Sequence, residues 1–129
     1  VLKKGILNPQ LSSLLARVRH TNALVLADRG FPSWMAVETV DLSLVDDVPT
    51  VLQVLKAIQP NFSIKQAYMA KEFKQINDKT TQSRFAKAFG EVPLTFEPHE
   101  KFKKRVPKAV GLIRTGDTVQ YANIILISG

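Results

Sequence analysis

A three-layer α/β/α sandwich built on a largely parallel, mixed sheet is the fold class this sequence predicts, and three observations predict it. Segments of helical apolar periodicity alternate along the chain with short apolar runs, the arrangement that lays helices over the faces of a mostly parallel sheet. The run Ala23 to Ala27 is apolar throughout and bounded by polar residues, so it reads as a strand covered on both faces. No repeat, linker or low-complexity stretch interrupts the pattern, and 129 residues suffice for one core but not two. A single domain over residues 1–129 is expected.

In chain order, Asn8-Pro9 is a helix start, with Asn as N-cap and Pro at the first helical position. Leu11, Leu14, Leu15 and Val18 then recur at helical spacing, which brings His20 to that helix's end. After the strand Ala23 to Ala27, Arg29 to Ser33 forms a loop and Val37 to Leu42 a second strand. Asp47-Val48-Pro49 begins a helix whose buried stripe is Val51, Leu52, Val54, Leu55 and Ile58, and Pro60-Asn61 ends it. Lys65 to Met69 is a strand leading to Lys71–Lys74. Thr80 to Phe89 is amphipathic, with Phe85, Ala86 and Phe89 on one face and Gly90 as its stop. Leu94 to Phe96 is a short strand, and Pro98-His99 opens a basic helix. Val110 to Ile113 and Asn123 to Ile127 close the sheet.

Composition excludes several function classes. A hydrophobic content of 45% with mixed charge does not fit disorder. The apolar runs fall far short of the ~20 residues of a membrane span, so a soluble cytoplasmic protein is expected. The absence of cysteine removes disulfides, thiolate zinc sites and cysteine nucleophiles, and fits a reducing compartment. A net charge of +7 raises the question of nucleic acid. Five of the eight residues from Lys101 to Lys108 are basic, but Phe102 is the sole interleaved aromatic and no binding-motif spacing appears. A solvated helix face or subunit contact is the expectation, and nucleic acid is not.

His20 and His99 are the two histidines of the chain, and imidazole is the side chain whose unperturbed pKa lies closest to neutrality. Asp28 follows the first strand, and ligands of open α/β sheets collect outside the carboxyl ends of strands. Tyr121 and Asn123 add directional hydrogen-bonding groups. A metal would have to use His, Asp or Glu. No two of His20, Asp28 and His99 stand at i, i+4 spacing, and no HExxH-type motif exists, so no metal site is expected.

His20, Asp28-x-Gly30-x-Pro32, Val40-Asp41, Glu72, His99-Glu100-x-Phe102-Lys103, Arg114-Thr115-Gly116 and Tyr121-Ala122-Asn123-Ile124 follow one another in that order. With this ordered set, running from Lys4–Asn8 to Gly129, the sequence resembles the D-ribose pyranase and L-fucose mutarotase family. The resemblance implies the α/β/α sandwich and an enzyme, free of cofactors, that interconverts the ring forms of a free monosaccharide. It further implies homo-oligomeric rings, commonly decamers of two stacked pentamers, with each sugar site near a subunit boundary. By position, it implies His20 as general acid/base and Asp28, His99, Lys103, Tyr121, Ala122 and Asn123 as sugar-binding residues. Asp28 would then orient or charge-stabilise His20.

The chain also departs from that pattern. Arg19 stands where Gly usually precedes the histidine, Asn22 where Asp is frequent, Arg29 in place of the usual Ala, and Val119-Gln120 where the preceding residues often end in Pro; Trp34 is an uncommon bulky aromatic. Arg29 is expected to point toward the mouth of the sugar site and redirect specificity, with outward rotation as the alternative. Arg114 reads as scaffold paired to a carboxylate such as Asp41 or Glu72. Competing readings are a non-catalytic sugar-binding or regulatory partner of a carbohydrate uptake system, and an isomerase for an acidic or phosphorylated sugar.

Overall fold

A computed structural model describes residues 1–129. The first helix, α1 (Pro9–Arg17), is capped by the Asn8 side chain, which accepts the Leu11 N–H at 2.8 Å. It stops three residues before His20, which therefore sits in a turn beyond the helix. The strands β1 (Ala23–Ala27) and β2 (Glu38–Asp41) follow. Val37, expected in the second strand, instead donates its N–H to Trp34 in the preceding turn.

α2 (Val51–Ile58) starts later than Asp47. Thr50 and Gln53 form a reciprocal capping box, which satisfies two orphan N–H groups at once. The Asp47 carboxylate is used elsewhere, accepting from the Thr118 N–H and hydroxyl. The remaining elements are β3 (Ile64–Ala70), α3 (Glu72–Ile76), α4 (Lys79–Phe89), β4 (Leu94–Glu97), α5 (His99–Arg105), β5 (Gly111–Arg114) and β6 (Ile124–Ser128). Single 3-10 turns follow α2 and α5.

The six strands lie in the order β2-β5-β1-β6-β3-β4. β1 with β5, β2 with β5 and β3 with β4 are parallel, and β6 runs antiparallel between β1 and β3. The sheet is thus mixed and largely parallel, as the alternation of elements predicts. The odd direction of β6 has one consequence for the site. Its first residue lies beside the carboxyl ends of the other five strands, and its last lies at their amino ends.

β1 divides its side chains between the two faces of the sheet. Leu24 and Leu26 join a core of eighteen residues with α1, α2, Phe73 of α3, and Phe85 and Phe89 of α4. Val25 and Ala27 join a smaller cluster of eight with Phe31, Phe102 of α5 and Val106. Full burial of each leucine or valine among them contributes about 1.5–3 kcal/mol, so β1 is anchored from both layers and both its ends are held in fixed places. α1 reaches the sheet over Gly111, where a Cβ would come within 2.5 Å of Leu14. No helix is long and apolar enough to cross a membrane.

Candidate active site

The carboxyl edge of the sheet collects most of the residues that carry chemistry. Asp28 follows β1, Glu72 follows β3, His99 follows β4, Thr115 follows β5, and Asn123 precedes the antiparallel β6. An open cleft of about 380 Å³ at this edge is lined by Asp28, Gly30, Phe31, Pro32, His99, Gln120, Tyr121 and Asn123. A larger groove of about 520 Å³ between α1 and β2 has its charged pair, Arg17 and Glu38, joined at 2.6 Å, and it brings together neither histidine.

Asp28 is fixed through its backbone and its side chain. Its N–H donates to Asn123 Oδ1 at 2.7 Å, and its Oδ1 accepts the Gly30 N–H at 3.0 Å. Burial raises the Asp28 pKa above its ordinary value, and the neighbouring Asp117 adds to the rise; hydrogen bonds from Gly30, Asn123 and Phe31 offset part of it. Asn123, 5% exposed, has its oxygen committed to the Asp28 N–H and its amide beside the Asp28 carboxylate, so the two side chains line the cleft as a coupled pair.

Tyr121 adopts a left-handed backbone at φ 57°, a conformation unusual for a bulky side chain and found where neighbouring structure enforces it. The His99 ring stands edge-on to Tyr121 at 5.2 Å and stacks on Phe102 at 6.1 Å. Its Nδ1 is buried without a hydrogen-bond partner, so packing and the backbone, rather than a second-layer acceptor, set the angle of the imidazole.

A buried polar brace lies behind the cleft. The Thr115 hydroxyl donates to the Ala27 carbonyl at 2.8 Å. The Asp117 carboxylate accepts the N–H groups of Val51 and Val119, and its main-chain oxygen accepts the Arg29 N–H. Asp117 is 3% exposed, and its role is invisible in sequence because its partners lie on three separate segments. Arg114 ties the lining loop down by donating to Phe31 O and Ser33 Oγ, with its Nε 3.7 Å from Asp41.

Four of the expected residues, Asp28, His99, Tyr121 and Asn123, converge in the cleft; three do not. Ala122 is fully buried, its methyl packed into the main core and away from the cleft that Tyr121 and Asn123 line. Lys103 lies one turn beyond His99 but pairs with Glu100 at 2.9 Å and does not line the cleft. His20 is at the opposite edge of the sheet. Ala23 and Ala27 alone are roughly 13 Å apart at the usual ~3.3 Å rise per residue, and His20 and Asp28 lie beyond them on either side. Asp28 therefore cannot orient His20 of its own chain.

That task falls to Gly129, whose main-chain oxygen lies 2.8 Å from His20 Nδ1. A carbonyl oxygen only accepts, so in the neutral ring Nδ1 carries the proton and Nε2 holds the lone pair. The ring is exposed, and its turn is tied to β6 by Thr21 N–H donating to Ser128 O. Thr21, like Tyr121, is left-handed, at φ 68°.

Arg29 corrects a further expectation. Its guanidinium turns outward and pairs with Asp46 at 2.7 Å, both side chains being more than half exposed. It is not part of the cleft wall. Gly30, Phe31, Pro32 and Gln120 are the lining residues that chemistry-based reading overlooked. Gly30 and Pro32 entered only as members of a family motif, Phe31 only as part of a loop, and Gln120 only as a departure from a family pattern. No three His, Asp or Glu side chains converge as metal ligands.

Comparison with known proteins places this geometry. The sequence pattern of the RbsD / FucU transport protein family matches residues 1–129. A D-ribose pyranase of Geobacillus kaustophilus is 43% identical over 127 residues, covering 98% of this chain and 93% of that protein. The structure of Bacillus subtilis RbsD complexed with D-ribose superposes with a TM-score of 0.92 at 32% identity, covering 100% of this chain and 98% of that one. The fucose mutarotase of Streptococcus pneumoniae in complex with L-fucose shares the fold, with a TM-score of 0.80 at 24% identity over 99% of this chain and 98% of that one.

Proposed function

The chain belongs to the RbsD / FucU transport protein family, and from that premise we propose that it interconverts the ring forms of a free monosaccharide such as D-ribose by acid/base proton transfer. The observation that carries the reading is the convergence of Asp28, His99, Tyr121 and Asn123 in one open cleft, a set of directional donors and acceptors suited to sugar hydroxyls.

The chemistry is modest. Opening a cyclic hemiacetal removes a proton from the anomeric hydroxyl and delivers one to the ring oxygen; closure through a different hydroxyl exchanges pyranose for furanose. One positioned acid/base contributes about 10²–10⁴-fold. His20 is equipped for that role, with Nδ1 held by Gly129 and Nε2 left to exchange protons with solvent or ligand. Its own cleft is a strand length away, so His20 serves the cleft of a second copy of the chain.

The functional unit is accordingly a homo-oligomer, and what the family resemblance implies for it is a decamer of two pentameric rings acting in the cytoplasm. Exposed apolar side chains at Leu7, Met35, Leu44, Val45 and Val48 supply surface for such contacts. The basic run of α5 is partly consumed within the chain, since Arg105 and Lys101 both reach Glu97, which favours a structural role over a polyanion site. An acidic or phosphorylated substrate loses both residues that motivated it, since Arg29 pairs with Asp46 and Arg19 donates to the main-chain oxygens of Ala16 and Val18.

Saturation-transfer NMR on free aldoses, with and without protein, tests the proposal. Accelerated pyranose–furanose exchange of D-ribose or anomer exchange of L-fucose is expected, with activity retained in EDTA. Acceleration confined to sugar phosphates, or none for any sugar, would overturn it.

A further inference from the structure

We infer that the short helix α3, through Glu72 at its start and Asn77 just past its end, is the positioning element of the sugar cleft, an inference that rests on the sugar-binding reading above. Neither residue lines the cleft. Each grips one of its walls.

The first wall is His99, the opening residue of α5. The N-cap of that helix is Pro98, which offers no side-chain acceptor, and the first N–H groups of a helix need partners from outside it. Glu72 supplies one, with both carboxylate oxygens near the His99 N–H at 3.1 and 3.2 Å. A carboxylate is also the favoured charge at that end of a helix. Because His99 Nδ1 meets no partner, the placement of this backbone N–H is the polar constraint on the residue, the ring itself being held by Phe102 and Tyr121.

The second wall is the Gln120-Tyr121 turn. Asn77 Nδ2 donates at 2.9 Å both to Phe73 O, inside α3, and to Gln120 O across the cleft's flank. The next residue, Tyr121, is the left-handed one, so the Asn77 contact helps to hold a backbone that would otherwise relax. α3 is itself immobilised by Phe73, 1% exposed, whose ring packs on Phe85 at 4.8 Å and on Phe96 at 6.4 Å. A five-residue helix seated in the core thus fixes the separation of the two walls, and small misplacements of binding groups are costly to recognition.

The test compares Glu72→Ala, Glu72→Gln and Asn77→Ala in the full chain, measuring KM and kcat for D-ribose ring exchange together with the thermal midpoint. Loss of a hydrogen bond to a charged group predicts a KM rise of about tenfold or more for Glu72→Ala, and loss of a neutral one about threefold for Asn77→Ala, with kcat held in both. Glu72→Gln keeps an oxygen that accepts the His99 N–H and is expected to restore most of the KM. Wild-type KM in Glu72→Ala, or a kcat loss that tracks the thermal midpoint with KM unmoved, overturns the positioning role. Should Glu72→Ala fail to fold, Glu72→Gln and Asn77→Ala decide it: a large KM rise in the former or an unchanged KM in the latter overturns the inference. An active wild type with unaffected variants overturns this inference alone, whereas a wild type without ring exchange overturns the functional reading and this inference with it.

Discussion

At its carboxyl end, β1 delivers Asp28 into a half-buried cleft where backbone, Asn123 and Gly30 hold the residue from two sides; at its amino end it is preceded by His20, exposed and held at one ring nitrogen. Both ends include an enforced left-handed residue nearby, Tyr121 and Thr21. They differ in what the surroundings provide. The Asp28 end is a cleft rich in fixed donors and acceptors, as recognition requires; the His20 end presents an exposed imidazole held at one nitrogen, with the other left free. On the proposed reading, recognition and proton transfer are divided between the two ends of one strand, and a second copy of the chain closes the division.

The largest expected effect belongs to the His20 end. His20→Ala should lower kcat for ring exchange by about 10²–10⁴-fold while ribose affinity and thermal stability are retained. Exchange at the wild-type rate would remove His20 from the mechanism and erase the contrast. At the other end, Asp28→Ala removes a charged hydrogen-bond partner and should weaken ribose binding by roughly 10- to 100-fold, read by titration calorimetry. A variant that bound normally but turned over slowly would assign Asp28 to chemistry.

A smaller effect sharpens the electrostatic side of the comparison. Burial raises the Asp28 pKa in the folded protein, so the stability linked to this group is complete below its unfolded value of about 3.9 and is lost as pH climbs through the higher folded value. Asp28→Asn stays neutral throughout. Its thermal midpoint should therefore gain on wild type as pH rises above about 4, the unfolded value, and level off once the folded value is passed, even as sugar binding weakens. A gain that instead grew toward acid would contradict the burial argument. The smallest effect is Arg29→Ala. An exposed pair such as Arg29–Asp46 contributes about 0–1 kcal/mol, and the ranking of aldoses should not change. A shifted ranking in an aldose panel would return Arg29 to the cleft.

These residues also mark how far the sequence could be read. The sheet, its buried central strand and the helices with clear caps were legible, because apolar periodicity and Asn8-Pro9 are local signals. Asp28 was read from a general rule about strand ends, and His99, Tyr121 and Asn123 from resemblance, and the four converge in one cleft. What failed was three-dimensional. Asp28 was expected to orient His20, but the length of β1 separates them, and the partner of His20 is a main-chain oxygen of Gly129, which no side-chain pattern reveals. Arg29 follows a site residue in sequence, yet Asp46, on a loop seventeen residues away, turns it outward. Ala122 stands between two cleft residues and faces the core. Thr115 and Asp117, which brace the cleft, and Glu72 and Asn77, which grip its walls, act through contacts between distant segments.

Complementation between two impaired variants tests the division most directly. Protein carrying His20→Ala keeps an intact cleft, and protein carrying Asp28→Ala keeps an intact imidazole. Co-expressed or co-refolded in equal amounts, they form mixed rings in which about a quarter of the boundaries join a good cleft to a good histidine, if subunits assort at random across heterologous interfaces. At ribose concentrations well below saturation, ring exchange is expected to recover to about that fraction of wild type, above the level of either impaired variant alone. No recovery in assemblies proven to be mixed would contradict it, and would place acid/base and cleft within a single chain.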